Sequence, residues 1–296
     1  MNDLIQQNIS LKDFTTFKIG GNARYFAEPS NIDEVTAAFQ FAKDHGLNVC
    51  ILGGGANTLV PDEGYNGLVI CTRRLNNIRT DGENIIAECG VSVDELCDYA
   101  AENGLSGAEF AAGLPGSIGG AVYMNARCYG SEFVDIVESV RFVRSDTNDT
   151  TELHHDEIGY AYKHSCFMTM PDTLIVEATF RMKRSDKSSI REKNEANRTD
   201  RKNKGQYDFP SAGCIFQNNY EIGIPAGKLI EEARLKGCSI GGAKVYERHA
   251  NFIVNKGNAT AADVRQLIKQ IQEKLDGQGY HLEPEVRILH NEEKPC

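Results

Sequence analysis

The 296-residue chain contains no tryptophan, so an aromatic ligand must be met by tyrosine, phenylalanine or backbone. None of its nine cysteines stands in a C-x-x-C pair, and the count is odd. That argues against a disulfide framework or a zinc site and for a reducing, cytoplasmic setting. Most of the cysteines read as small buried apolar residues, and no metal site is expected. Residues 1–14, MNDLIQQNISLKDF, lack a basic stretch followed by an apolar one and do not read as a secretory leader. No run is long and apolar enough to span a bilayer. Basic residues are scarce: 32 Lys and Arg stand against 42 Asp and Glu, a net charge of −10. This disfavours nucleic acid and membranes as partners, but not a small anionic ligand, which senses only local charge. There is no fixed-period repeat and no low-complexity tract.

Glycine is what the chain has in unusual places. Residues 107–130, GAEFAAGLPGSIGGAVYMNARCYG, mix glycines with Phe110, Leu114, Ile118, Val122, Tyr123 and Met124, which a flexible linker would not carry. Glycine is used where a Cβ would collide or where φ is positive, so backbone must approach something closely in this stretch, and a large flat ligand bearing phosphates is the expected one. A second cluster, GGGANTLV over 53–60, follows the buried-strand pattern NVCIL. It fails the dinucleotide fingerprint G-x-G-x-x-G, because Thr58 occupies the third glycine position and no clear helix follows. GCSIGGAK lacks the spacing and the Lys-Ser/Thr pair of a P-loop. A doubly wound nucleotide fold is therefore disfavoured. Consecutive glycine amides can still form an anion nest, and two glycine turns can converge on one pyrophosphate, although a strand followed by three glycines is by itself more often a tight turn.

Strands and helices alternate irregularly, which predicts an α+β fold. Asn31 with Glu34, and Ser92 with Glu95, are capping pairs for helices. Val264, Leu267, Ile268, Ile271 and Leu275 follow the helical period in the last helix. Strand patterns are KIGGNARYFAEP, GLVICT, NIIAEC, ESVRFVRSD, TLIVEATFRMKR, GCIFQN, ANFIVN and PEVRIL. AGKLIEEARLKG reads as a helix, and residues 185–206 are highly charged and either helical or mobile.

TTFKIGGNA, LGGGANTLV, GAEFAAGLPGSIGGAVYMNA, PSAGCIF, HANFIVN and LEPEVRI occur in one order along the chain. In this the sequence resembles the UDP-N-acetylenolpyruvoylglucosamine reductase (MurB) family over nearly its whole length. The short tyrosine-bearing insertion of one subgroup is absent, as in the compact second subgroup. The resemblance implies a vanillyl-alcohol-oxidase/PCMH-like FAD-binding fold of two subdomains, at 1–72 and 73–204, plus a C-terminal α+β substrate domain at 205–282. The final strand, 283–296, is able to return to the first subdomain. It also implies non-covalent FAD, NADPH as reductant and a small-molecule UDP-sugar substrate; the sequence does not give the oligomeric state, a monomer being the simplest expectation. The hydride would pass from flavin N5 to an enolpyruvyl ether, giving UDP-N-acetylmuramate for peptidoglycan synthesis.

By the same resemblance the flavin is held by Gly53, Gly54, Gly55, Ala56, Asn57 and Thr58 from the first turn. Gly113, Pro115, Gly116, Ser117, Gly119, Gly120 and Ala121 hold it from the second. Cys214 stands where the family carries a serine proton donor. A thiol, with an ordinary pKa of about 8.5, is a stronger acid than a hydroxyl, but it fails as a donor once ionised. Its plain alternative is a buried structural cysteine. Glu285 is the implied second charge-handling residue. Beside a developing enolate it would have to be protonated or share its proton; otherwise it is a solvated strand-edge glutamate. Lys163, in YAYKHSCF, replaces an expected arginine and cannot make the bidentate fork. Arg127-Cys128 replaces an expected Gly-Ala and adds bulk beside the flavin. Tyr162, Asn218, Lys228, His249 and Arg287 match positions on the substrate side, with a structural role the default for a lone histidine such as His249. Arg201, in the basic run 198–204, is a candidate contact for the UDP diphosphate. The rival readings are a paralogous FAD-dependent oxidoreductase with a different substrate, and a non-catalytic flavin- or UDP-sugar-binding protein.

Overall fold

A computed structural model describes residues 4–147, 149–170 and 172–291. Three sheets organise them. The first has strand order 5–10, 22–27, 65–71, 49–52, with an antiparallel first pair and parallel neighbours thereafter. The second is antiparallel, in the order 150–154, 137–144, 173–181, 84–88, 78–81. The third, also antiparallel, runs 211–214, 252–255, 243–245, 239–240.

The caps read from the sequence are made. Asn31 accepts the Glu34 amide at the start of α1 (Ile32–Asp44). Ser92 accepts the Glu95 amide at the start of α2 (Val93–Asn103), which Gly104 ends at φ 64°. These bonds satisfy amides that the first helical turn would leave unpaired. The short α3 (Ile118–Tyr123) grows from the second glycine cluster. The charged stretch forms α4 (Lys187–Asn203); its buried Ile190, Asn194 and Arg201 lie on one side, so tertiary contact rather than composition holds it. The helix read from AGKLIEEARLKG is shorter than its pattern, as α5 (Ala226–Glu232). In α6 (Ala261–Asp276), all five periodic apolar residues are buried, and Asp62 accepts the amides of Ala261 and Ala262 across 199 and 200 residues of chain.

Two elements differ from the sequence reading. Residues 5–10, IQQNIS, form an edge strand that the apolar pattern does not show, because four of its six residues are exposed. In the closing PEVRIL only Arg287–Ile288 is a strand, paired parallel with Thr58–Leu59; residues 292–296 lie outside the described ones. The C-terminal core also draws Phe17, Ile19 and Leu59 from the N-terminal part, so chain ends far apart in sequence are locked together where the cavity lies.

Glu177 is buried in the middle of the second sheet, between Arg79 at 2.6 Å and Arg141 at 3.2 Å. Burial pushes its carboxyl up, but hydrogen bonds and charge from Arg79 and Arg141 outweigh that and hold it below the ordinary range. Glu177→Gln should therefore cost about 1–2 kcal/mol at neutral pH, the arginines being partly exposed. A carboxyl depressed in the folded state stabilises above its unfolded pKa and stops doing so as pH falls through the folded value. Urea unfolding of both proteins should accordingly show the gap closing below the usual glutamate range. A gap that stays constant into acid would contradict this.

Candidate active site

The two glycine turns face each other. The Gly54 amide donates to Ser117 Oγ at 3.1 Å. A Cβ on Gly54 would sit 2.7 Å from Gly116 Cα, and one on Gly53 would sit 2.4 Å from Ser117 Oγ. Gly55 has φ +65°, and a Cβ there would meet the Phe14 carbonyl at 2.1 Å. The close approach anticipated from the sequence is thus, for these three, contact between the turns and with the 14–15 backbone. Gly120 and Gly213 are different: a Cβ on Gly120 would meet only Ser117 Oγ at 3.8 Å, and one on Gly213 nothing within 4 Å. Both line a cavity of about 1090 Å³, beyond the roughly 300–1,000 Å³ of ordinary small-molecule sites.

That cavity brings together most of the residues singled out from the sequence. Gly53 through Thr58 line it, as do Pro115, Gly116, Ser117, Gly119, Gly120 and Ala121. Gly113 is not on its wall: the amide donates to Asp94 at 2.7 Å and the carbonyl accepts from Tyr207, so this glycine serves its own turn at φ +74°.

Cys214, Lys163, Glu285 and Arg287 line the same cavity. Lys163 Nζ donates to Glu285 Oε1 at 2.7 Å, each side chain only 13% exposed. The Glu285 amide donates to the Ile215 carbonyl at 2.7 Å and its carbonyl accepts from Asn57 Nδ2 at 2.9 Å. One residue therefore ties the Cys214 turn to the first glycine turn. The sequence argument asked Glu285 to be neutral or to share a proton, and the structure sets Lys163 as the hydrogen-bond partner of its carboxyl. Burial pushes the Cys214 thiol up to about 12, helped by the Glu285 charge and opposed by Lys163 and by a hydrogen bond from Asn251. The feared effect of a nearby cation is thus offset by its carboxylate partner.

Modification should reveal this. Iodoacetamide attacks only the thiolate, so carbamidomethylation of Cys214 should be slow at pH 7 and rise about tenfold per pH unit to pH 10 without a plateau. Peptide mass spectrometry separates this site from the other cysteines. A plateau near pH 8–9 would show an ordinary thiol.

The substrate-side set divides. Arg201 is 4% exposed and lines the cavity, with Nε on the Ala112 carbonyl at 3.0 Å and Nη1 on Gln206 at 3.1 Å; its Nη2 is buried without a hydrogen-bond partner among the described residues. Neighbouring cations in the basic run are neutralised, Arg198 by Asp94 and Asp98 and Lys204 by Asp200. Tyr162 accepts the Asn218 amide at 3.3 Å, and Asn218 Oδ1 accepts the Ala226 amide at the start of α5. Like Tyr162 and Asn218, Lys228 and His249 are not brought to the cavity wall. Lys228 is on the exposed face of α5, 3.8 Å from Glu232. His249 packs on Phe252 with ring centroids 4.3 Å apart, and burial lowers its pKa. Sequence reasoning missed Asn251, whose side chain bonds both the amide and the carbonyl of Phe216 and so holds the turn after Cys214. It also missed Thr16, whose hydroxyl donates to the Ser211 carbonyl at 2.7 Å. Neither stands in a spacing that points to such a partner.

Residues 23–149 match the family described as FAD binding domain, and residues 205–289 match UDP-N-acetylenolpyruvoylglucosamine reductase, C-terminal domain. With these sheets and this cavity, the protein is an α+β flavoprotein with a PCMH-type FAD-binding domain. It is 42% identical over 292 residues to UDP-N-acetylenolpyruvoylglucosamine reductase of Caldicellulosiruptor saccharolyticus, covering 96% of this chain and 92% of the relative. The corresponding protein of Borrelia garinii subsp. bavariensis is 40% identical over 285 residues, with the same coverage of 96% and 92%. The crystal structure of the reductase from Thermus caldophilus superposes with a TM-score of 0.83 at 31% identity, over 97% of this chain and 100% of that one. The chain belongs to the UDP-N-acetylenolpyruvoylglucosamine reductase (MurB) family, and is an FAD-dependent oxidoreductase.

Proposed function

We propose that the chain reduces UDP-N-acetylglucosamine enolpyruvate to UDP-N-acetylmuramate, the step of peptidoglycan precursor synthesis that its family performs, with Cys214 as the proton donor. The observation that carries this reading is a thiol held protonated on the wall of the cavity that both glycine turns line, beside a buried Lys163–Glu285 pair.

The residues present fit FAD. Gly120 and Gly213 leave unfilled the volume a Cβ would take. The buried Oδ1 of Asn57 and Nη2 of Arg201, both on cavity-lining residues, have no hydrogen-bond partner among the described residues, and buried polar groups are rarely left so. Gly53 through Thr58, with Pro115, Gly116, Ser117, Gly119, Gly120 and Ala121, would hold it. When bound, FAD supplies the hydride, drawn from NADPH. Cys214 holds a proton at Sγ and delivers it to the carbon that the hydride does not reach. Lys163 supplies positive charge against the substrate carboxylate as negative charge develops there. Glu285 fixes the Lys163 ammonium and keeps the Cys214 thiol from ionising. Arg287 and Arg201 offer further cationic groups to the substrate. We also propose that residues 1–72 and 73–204 form the two FAD-binding subdomains and 205–282 the substrate domain, with 283–291 returning to the first.

The test is anaerobic. NADPH should bleach the bound flavin, and adding UDP-N-acetylglucosamine enolpyruvate should restore its colour. A spectrum that stays bleached, while a family member of known activity recovers under the same conditions, would overturn the reading.

A further inference from the structure

Arg127 is the cation of this cavity whose surroundings fit an exchange of partners. It lines the wall together with Lys163, Arg201 and Arg287. Lys163 is occupied by Glu285 at 2.7 Å, and Arg201 is 4% exposed and anchored on Ala112 and Gln206. The Arg127 side chain remains 33% exposed, and the carboxylate it meets among the described residues is Glu132, at 3.2 Å from one Nη. A guanidinium has five donors, so a single contact leaves most of the fork free for another anion. Glu132 does not depend on this contact: its other oxygen accepts from Asn125 Nδ2 at 2.7 Å. Arg127 can therefore leave without stranding a carboxylate.

The guanidinium is also aimed. Its central carbon is 5.9 Å from the Tyr162 ring centroid and 5.6 Å from that of Tyr220. Both lie within the roughly 6 Å over which a ring face attracts a cation. The two rings meet edge-on at 5.0 Å, and Tyr220 is 60% exposed. Flat rings hold a planar guanidinium without consuming its N–H groups, a site that suits arginine and not lysine.

We propose that Arg127 is a specificity-determining anion receptor, held by Tyr162 and Tyr220, that exchanges Glu132 for an oxyanion of the molecule entering the cavity. The inference rests on the functional reading above. The chemistry recognised is a carboxylate or phosphate, supplied by the UDP-sugar substrate or by the 2′-phosphate of NADPH.

Calorimetric titration of the FAD-loaded protein tests it. The probes are UDP-N-acetylglucosamine enolpyruvate, UDP-N-acetylglucosamine (which lacks the carboxylate), NADP⁺ and NAD⁺. Arg127→Gln should weaken binding of at least one probe by about 10- to 100-fold, the scale of a charge-assisted hydrogen bond, and flatten its salt dependence. Arg127→Lys should fall between, keeping the charge without the fork. Loss confined to the enolpyruvyl compound identifies the carboxylate; equal loss for both UDP-sugars identifies the diphosphate; loss for NADP⁺ but not NAD⁺ identifies the 2′-phosphate. Affinities within about threefold of wild type for every probe, with unchanged salt slopes, would overturn the proposal. So would an Arg127→Gln protein that cannot hold FAD together with an Arg127→Lys protein that binds every probe normally, since Arg127 would then be structural. Failure of wild type to bind either UDP-sugar sinks the functional reading itself and is recognisable before any variant is made.

Discussion

Cys214→Ala is expected to leave bleaching of the flavin by NADPH unchanged and to slow its reoxidation by UDP-N-acetylglucosamine enolpyruvate by about 100-fold or more, the range of positioned acid catalysis. On the proposed reading the first half-reaction needs no proton from this side chain, and the second does. The local structure favours a donor that stays loaded: burial and the Glu285 charge push the thiol up to about 12, so it remains protonated across the working range and contributes no alkaline limb to the rate below about pH 10. Cys214→Ser retains an O–H at the same position and should recover most of the loss. Anaerobic stopped-flow measurement of both halves decides the matter. Equal slowing of the two would point to a displaced flavin, and less than about threefold slowing of the second would remove Cys214 from the donor role.

Gly54→Ala is expected to force the two glycine turns apart. Its Cβ would lie 2.7 Å from Gly116 Cα, 2.8 Å from Gly116 C and 2.9 Å from the Ser117 amide nitrogen. All three are backbone atoms, so no side chain can swing away; the two turns must separate, and the hydrogen bond from Gly54 to Ser117 Oγ is put at risk. Overpacking of this kind costs about 1–3 kcal/mol, and the site shaped by both turns opens with it. The variant should purify with little or no yellow colour and melt several degrees lower, at about 2–4 °C per kcal/mol for a chain of this size. Gly46→Ala is the control. Gly46 has φ +60° and open space around its missing Cβ, so it carries only backbone strain, about 1–2 kcal/mol, and should keep its flavin. If Gly54→Ala retains FAD as tightly as Gly46→Ala does, contact between the turns is not what shapes the site.

Much of the fold was legible because its signals are local. The Asn31 and Ser92 caps need only the next three residues, and α6 declares itself through a repeated apolar face. The edge strand at 5–10 was not legible, since an edge exposed on most of its residues has no alternation to show. The closing strand shrank to Arg287–Ile288 because its partner is only Thr58–Leu59. In the site, the glycine turns and the PSAGCIF and PEVR segments could be picked out as motifs, while the contacts joining them could not.

What the amino-acid order determined unaided is therefore most of the elements, the α+β class and the family, together with the two glycine turns and the side chains of Lys163, Arg201, Cys214, Glu285 and Arg287 on the cavity wall. Only the tertiary structure decided that Gly54 and Gly55 are required by other backbone and Gly53 by the Ser117 side chain, that Lys163 pairs with Glu285, and that Arg127 lies against two tyrosines. It also decided that Lys228 and His249 stand off the wall. The physical reason is range. Caps and periodicity act within a few residues, whereas steric contact, desolvation and ion pairing depend on which distant segments the fold brings within about 4 Å of each other.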